Sequence, residues 1–276
     1  MCIRDSLYNW RIRRKEPLVP RHLRFEITER VLHTGEVHTP LDKPNLGALV
    51  EEIKAAGVEA ITVCLLHSYA NPTHEKEVGA AIAEKLPDVP LSLSHEILPE
   101  FKEYERMSTS VINAYVAPVM ERYLTRLQKS IAEVGVKSDL YIMQSNGGTM
   151  GAETAIERPV HTILSGPAAG VIGAVAIAGQ ANQPNSISID MGGTSFDVSL
   201  SYQGEVRRTQ ESEIERLPVK VPMVDIHTLG AGGGSIAWVD PGGAMRVGPQ
   251  SAGAVSYTHL RAHETEAALV CRLLLE

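Results

Sequence analysis

The residues best suited to chemistry lie in a glycine-centred stretch, SISIDMGGTSFDVSLSYQG, at residues 186–204. Its alternation predicts a strand that ends at Asp190, a tight turn over residues 192–195 and a return strand that begins at Phe196. Adjacent glycines let the backbone approach a ligand, and turn N–H groups with two hydroxyls suit a phosphate. We therefore predict a phosphate-binding hairpin whose tip is formed by Gly192, Gly193, Thr194 and Ser195.

Two acidic residues flank this turn. If the four turn residues form the tip, Asp190 and Asp197 lie opposite each other across the hairpin. Directly opposed like charges destabilise a strand pair, so a cation or a phosphate-bound magnesium between them would explain the pattern. A plain hairpin with two solvated acids is the alternative.

A second glycine cluster, HTLGAGGGSIAWVDPGG, occupies residues 227–243 after the strand-like segment PMVDIH. It lacks the sixth-position glycine or alanine of a dinucleotide fingerprint and the Lys-Ser/Thr of a Walker loop, so neither site is predicted. Its loop is still expected to approach a bound cofactor through the glycines Gly230, Gly232, Gly233 and Gly234.

The strand before this loop carries a carboxylate and an imidazole. Asp225 and His227 are two residues apart, which predicts that they share one strand face. Such a pair can bind a metal or transfer a proton, although a histidine that is only hydrogen-bonded at a strand end is the alternative.

Other polar residues have simpler explanations. Arg106 with its neighbouring glutamates in KEYER predicts an ion-pair group on a helix surface. The turn at residues 145–148 either lines the cleft or is ordinary turn chemistry. Cys64 lies in an apolar strand-like run and is expected to be packed core.

The elements that would position these residues alternate between helix and strand. Helical spacing over residues 44–56 ends at Gly57, an apolar run at 60–66 predicts a buried strand, and a second helix and strand follow through residue 94. This order predicts a parallel sheet with covering helices. A longer apolar periodicity from Ser108 to Val134 predicts one helix that links two lobes.

Composition excludes several functional classes. The 276 residues are 43% hydrophobic and 21% charged, as in ordinary globular proteins. A net charge of -7 argues against nucleic-acid binding, and the absence of a long apolar run argues against a membrane span. Three cysteines without zinc spacing favour a reducing, cytoplasmic location.

The motifs together support a family resemblance. The small-residue helix at 165–179, which can pack closely against a neighbour, and the hairpin after it resemble the connecting helix and second phosphate loop of the actin, sugar-kinase and seventy-kilodalton chaperone ATPase superfamily. The stretch from about Leu7 to Ala254 is similar to the hydantoinase A and 5-oxoprolinase family. Six segments in family order carry this similarity: residues 18–31, 94–116, 143–148, 164–171, 190–199 and 225–240.

This resemblance implies an α/β fold of ribonuclease-H-like, actin-like ATPase lobes, with mixed sheets flanked by helices, of which the chain holds part. It implies ATP and Mg²⁺ as cofactors, and the opening of a hydantoin or 5-oxoproline ring after phosphorylation of its carbonyl oxygen. A partner subunit or domain of the hydantoinase B type is also implied. Close alternatives are the nucleotide-binding subunit of an acetone- or acetophenone-type carboxylase and a chaperone-like reactivating ATPase.

The resemblance also assigns roles to residues. Phosphate would be bound by Gly192, Gly193 and Thr194, and magnesium and water would be organised by Asp190 and Asp197. The catalytic group would be completed by Asp225 and His227, which would join Asp190 as metal ligands.

The family pattern divides the chain into four parts. Residues 7–117 correspond to the C-terminal part of the family's N-terminal region, and residues 118–254 correspond to its core domain with the phosphate loop. Residues 1–6 and 255–276 depart from the family composition and are expected to be non-native sequence from translated adapter. Since the family's first phosphate loop and adenosine segment are not in the chain, we expect little turnover by the 276 residues alone.

Overall fold

The fold is that of a computed structural model, which describes residues 17–214 and 217–251. Both ends that are expected to be non-native lie outside the described residues. The chain divides into two units, with the boundary between Pro118 and Val119. Among the described residues, no helix is both long and apolar enough to cross a membrane.

Unit 1 alternates strands and helices after a 3₁₀ turn at Arg21–Leu23. Its elements are β1 (Arg30–Val31), β2 (Val37–Thr39), α1 (Lys43–Ala55), β3 (Ile61–Val63), α2 (Thr73–Lys85), β4 (Leu91–Leu93) and α3 (Ser94–Ile97). The long helix α4 (Glu103–Glu133) begins in this unit.

The predicted helix–strand alternation of unit 1 is confirmed. Helix α1 ends just before Gly57, whose φ of +63° is the left-handed conformation that favours glycine after a helix. Strands β3 and β4 pair in parallel, with Ile61 opposite Leu91 and Val63 opposite Leu93. Apolar residues from both strands and from α1 and α2 form one buried core, which includes Val50 and Ile82.

A buried polar cluster lies where β3 and β4 end. The Glu75 carboxylate, 0% exposed, accepts hydrogen bonds from the Ser94 hydroxyl at 2.6 Å and from the backbone N–H groups of Leu65 and His95. It also lies 2.6 Å from the His95 imidazole Nδ1. Through these contacts Glu75, on α2, ties that helix to the segments that follow β3 and β4.

The surface position predicted for Arg106 is wrong. Arg106 is fully buried and donates to the carbonyl oxygens of Leu65 and Glu100. It therefore joins α4 to the segment that follows β3 and to the loop that precedes α4. Its guanidinium also lies over the Tyr69 ring. Burial raises the pKa of the nearby Cys64 thiol, which agrees with a packed rather than a nucleophilic cysteine.

Unit 2 contains the remainder of α4 and a set of antiparallel strands. Its other helices are α5 (Ala152–Glu157) and α6 (Ser165–Gln180), separated by a 3₁₀ helix at Pro159–Thr162. Its strands are β5 (Tyr141–Met143), β6 (Thr149–Gly151), β7 (Ser186–Met191), β8 (Phe196–Tyr202), β9 (Glu205–Val206), β10 (Arg208–Thr209), β11 (Ser212–Ile214), β12 (Leu217–Val219), β13 (Met223–Val224), β14 (His227–Leu229), β15 (Ser235–Val239) and β16 (Met245–Ser251).

The central sheet of unit 2 has the order β14-β8-β7, with β9 also paired to β8. Helix α6 packs against β7 and β8. The small-residue helix was predicted to pack closely against a neighbour. Among the described residues this is not seen at Gly166, Gly170 or Gly173, because a Cβ added at any of them would meet no atom within 4 Å apart from the backbone of α6 itself. The chain thus has a mixed α/β fold, as predicted.

Candidate functional site

The predicted hairpin is present with the predicted register. Strands β7 and β8 pair antiparallel, with Met191 opposite Phe196 and Asp190 opposite Asp197. The turn closes through a 2.9 Å hydrogen bond from the Gly192 N–H to the Ser195 carbonyl oxygen. The two aspartates therefore lie directly opposite each other on neighbouring strands, each one residue away from the four-residue tip.

The hairpin has two different faces. Alternation along both strands places the carboxylates of Asp190 and Asp197 on the same face as the serines of the hairpin. Ser199 and Ser201 on this face are buried, whereas Ile187 on the other face is 58% exposed. The carboxylate pair thus lies on the same face as these buried serines, at the end of the hairpin next to the turn.

The second glycine cluster packs against the hairpin tip. The Gly233 N–H donates to the Gly192 carbonyl oxygen at 2.9 Å, and the Gly234 N–H donates to the Gly193 carbonyl oxygen at 2.7 Å. A Cβ on Gly232 would lie 2.4 Å from the Gly192 carbonyl oxygen, so only glycine allows this approach. Gly233 and Gly234, which were predicted to contact a cofactor, therefore donate their N–H groups to the hairpin tip instead. The second glycine loop thus holds the hairpin tip in place.

The tip still has donors to offer a ligand. Within the part of the chain that the structure describes, no acceptor bonds the N–H groups of Gly193 and Thr194. Thr194 is exposed, and Gly193 and Ser195 are half-buried. This combination of N–H groups without an acceptor and side-chain hydroxyls suits an anion.

The single strand predicted to carry both Asp225 and His227 is not continuous. The predicted strand is interrupted at Asp225 and Ile226, because β13 pairs with β10 whereas β14 pairs with β8. The Asp225 carboxylate lies 3.2 Å from the Arg207 guanidinium Nε. His227 pairs with Val198, which places it on the face opposite to Asp190 and Asp197.

The three predicted metal ligands are consequently not brought together. Asp190 lies at the hairpin, Asp225 pairs with Arg207, and His227 is exposed on the other side of the sheet. Across the described ranges, no group of three His, Cys, Asp or Glu side chains could hold a metal ion. Any cation at this site would be held by the hairpin carboxylates together with ligand oxygens.

Sequence reasoning missed one side chain at the site. Thr228 lies opposite Asp197 and its hydroxyl donates to the Asp197 Oδ1 atom at 2.5 Å. Side-chain alternation in β14 could have identified Thr228, because it places Thr228 on the face opposite to its neighbours His227 and Leu229.

The turn at residues 145–148 is explained by local bonding. The buried Ser145 hydroxyl lies 2.6 Å from the carbonyl oxygens of both His161 and Ile163. The Asn146 Oδ1 atom accepts a 2.7 Å hydrogen bond from the Gly148 N–H. These contacts favour ordinary turn chemistry over lining of a cleft.

Comparison with known families gives two matches. The pattern of the hydantoinase/oxoprolinase family matches residues 106–271, and that of the hydantoinase/oxoprolinase N-terminal region matches residues 2–86. Both matched ranges run into the ends expected to be non-native, and that expectation stays a prediction.

Similar individual proteins agree with the family match. The chain is 41% identical to the caprolactamase subunit alpha of Pseudomonas jessenii, over 86% of this chain and 34% of that protein. It is 35% identical to the acetone carboxylase beta subunit of Xanthobacter autotrophicus, with 86% and 34% covered. It is also 35% identical to the 5-oxoprolinase of Saccharomyces cerevisiae, with 80% and 17% covered.

A solved structure shares the fold. The crystal structure of the ATP-dependent caprolactamase from Pseudomonas jessenii superposes with a TM-score of 0.80 at 40% identity, covering 90% of this chain and 36% of that one. The chain therefore spans about a third of the length of the caprolactamase and acetone carboxylase subunits that it matches.

Proposed function

The chain belongs to the hydantoinase/oxoprolinase family, and on that premise we propose that it is part of an ATP-dependent hydrolase that opens a cyclic amide such as a hydantoin or 5-oxoproline. Relatives named as a caprolactamase subunit and a 5-oxoprolinase support this reaction class. The lobes would have the actin-like ATPase arrangement implied by the sequence, and ATP would be cleaved at the glycine hairpin.

One observation carries this proposal: two carboxylates are directly opposed across a hairpin whose tip is Gly-Gly-Thr-Ser. Without a ligand, this arrangement places two negative charges side by side and leaves tip donors unused. A phosphate at the tip and a cation beside it would satisfy both features.

The residues present fit a magnesium nucleotide. Mg²⁺ is usually bound by one or two carboxylates together with substrate phosphates, and Asp190 and Asp197 would supply two hard oxygen donors next to the hairpin tip. The phosphate itself would accept hydrogen bonds from Gly193 and Thr194. When bound, the cation would offset negative charge that develops on the phosphate during transfer.

The chemistry explains why a cyclic amide hydrolase would need ATP. An amide carbonyl is a poor electrophile because its nitrogen donates electron density to the carbon. Transfer of a phosphoryl group to the carbonyl oxygen forms an O–P bond and breaks the bond to ADP, which makes the carbon electrophilic enough for water to attack. From the resulting tetrahedral intermediate the ring C–N bond breaks, the nitrogen takes up a proton and leaves as an amine, and the acyl phosphate that remains releases phosphate to a second water molecule. The hairpin would position the phosphoryl group, and one of its aspartates would orient the water.

A second reaction is favoured by one finding. The acetone carboxylase beta subunit is matched over the same 86% share of this chain as the caprolactamase subunit. The same phosphate site could therefore activate a ketone and bicarbonate for carboxylation. Both relatives are named as subunits, so we propose that the protein works with a partner of the hydantoinase B type.

The test is substrate-dependent ATP hydrolysis by the protein expressed from its complete gene with the adjoining partner gene. Stimulation by hydantoin, 5-oxoproline or caprolactam, with release of the ring-opened product, is the expected result. Stimulation by acetone with bicarbonate instead would show that the protein is part of an ATP-dependent ketone carboxylase. No stimulation by either group of compounds would contradict the proposed function.

A further inference from the structure

Three polar side chains form a row across the central sheet of unit 2. Asp190 on β7 lies opposite Asp197 on β8, and Asp197 lies opposite Thr228 on β14. Directly opposed residues of antiparallel strands point to the same face, so the hydroxyl and both carboxylates share one surface. Asp197 stands in the middle, with a like charge on one side and a hydroxyl donor on the other.

The hydroxyl contacts only one end of the carboxylate. Thr228 Oγ1 donates to Asp197 Oδ1, and among the described side chains no other hydrogen-bond donor to Asp197 is found. An ionised carboxylate has a second oxygen that can accept independently. The Thr228 bond therefore leaves Oδ2 available to a cation.

Thr228 is exposed, but it lies within a paired strand. Its neighbours in β14 are both paired to β8, His227 with Val198 and Leu229 with Phe196. A β-branched side chain in a strand has few χ1 conformers, so the hydroxyl direction is restricted. The second glycine loop, which contacts the hairpin tip, begins directly after this strand.

We propose that Thr228 is a positioning residue that fixes the Asp197 carboxylate in the orientation needed to hold the phosphate-bound cation. This inference rests on the proposed function. Repulsion from Asp190 would otherwise favour rotation of the Asp197 carboxylate away from the shared space. By donating to Oδ1, Thr228 offsets that repulsion and reduces the conformational freedom that Asp197 must lose when a cation binds.

The test uses Mn²⁺, titrated at a fixed concentration of inorganic phosphate, as a probe with the 276-residue chain. Paramagnetic broadening of the Gly192 and Gly193 amide NMR signals during a Mn²⁺ titration reports binding at this hairpin. Thr228→Val removes the hydroxyl and keeps the side-chain shape, whereas Thr228→Ser keeps the hydroxyl. We expect Thr228→Val to require about tenfold more Mn²⁺, since the lost bond is one to a charged group. Thr228→Ser should remain within about twofold of the original chain.

Asp197→Asn separates failure of this inference from failure of the proposed function. If Asp197→Asn abolishes the broadening but Thr228→Val binds Mn²⁺ like the original chain, the positioning role of Thr228 is wrong. If Asp197→Asn leaves the broadening unchanged, or if the original chain shows none, the cation site is wrong and this inference fails with it. A common urea midpoint for both Thr228 variants would show that the changed affinity is not a loss of folding.

Discussion

The contact between the two glycine loops makes a sharp prediction for Gly232→Ala. A Cβ at Gly232 would lie 2.4 Å from the Gly192 carbonyl oxygen and 2.7 Å from the backbone nitrogens of both Thr194 and Ser195. All three neighbours are backbone atoms, so no side-chain rotation can relieve the clash. Gly230 provides the matched control, because a Cβ there would meet nothing within 4 Å.

The expected cost follows from what must move. Separation of the loops would weaken the bonds that Gly233 and Gly234 donate to the hairpin tip, which are 2.9 and 2.7 Å long. Overpacking costs about 1–3 kcal/mol and each weakened hydrogen bond up to about 1 kcal/mol. Alanine returns about 0.4–1 kcal/mol by restricting the unfolded chain. We expect Gly232→Ala to lower the free energy of unfolding of unit 2 by about 2 kcal/mol.

Urea denaturation combined with amide hydrogen exchange would measure this difference. Trp238 donates its indole N–H to the Gly248 carbonyl oxygen beside the second loop, so its fluorescence adds a local signal. Gly232→Ala should speed exchange at Gly233 and Gly234, and Gly230→Ala should leave both the midpoint and the exchange unchanged. Equal stability of the two variants would refute the packing of one loop on the other.

Three further predictions concern charged groups. Asp190→Asn should raise the metal-free stability of unit 2 by about 0.2–1 kcal/mol in urea denaturation, because it removes the like charge opposite Asp197; a loss of stability would contradict the repulsion. Burial, aided by Arg158, lowers the pKa of His161, so the unfolded chain binds more protons and stability should fall as the pH drops below 6.5. His161→Gln should flatten that dependence in denaturation measured at several pH values, and an unchanged slope would exclude His161 as its source. Glu75→Ala should destabilise unit 1 by about 3 kcal/mol, because several buried donors lose their acceptor; thermal unfolding like that of the original chain would show that the cluster is dispensable.

Local features of the sequence predict the hairpin well. The four-residue turn and the alternation on either side specify the register, so Asp190 lies opposite Asp197 as predicted. The order of α1, β3, α2 and β4 in unit 1 could also be predicted, because each of these elements carries its own periodicity.

Contacts between segments that are distant in the sequence could not be predicted from such local patterns. The position of Arg106 depends on Leu65, 41 residues earlier, and no local pattern distinguishes a buried arginine from one on a helix surface. The strand interruption between Val224 and His227 accompanies a change of partner strand from β10 to β8, which alternation alone does not reveal. The contact of Gly232 with the hairpin tip likewise joins loops about forty residues apart.

The most direct test of the central claim is ATP hydrolysis by the complete protein carrying Asp190→Asn, measured with and without a cyclic amide. Glu205→Gln is the matched control, since it removes a negative charge from β9 of the same sheet. We expect Asp190→Asn to lower cyclic-amide-dependent hydrolysis by about a hundredfold or more, as for loss of a group that stabilises phosphoryl transfer, and Glu205→Gln to have no effect. Hydrolysis by Asp190→Asn at the rate of the unmodified protein would contradict the assignment of this hairpin as the phosphate site.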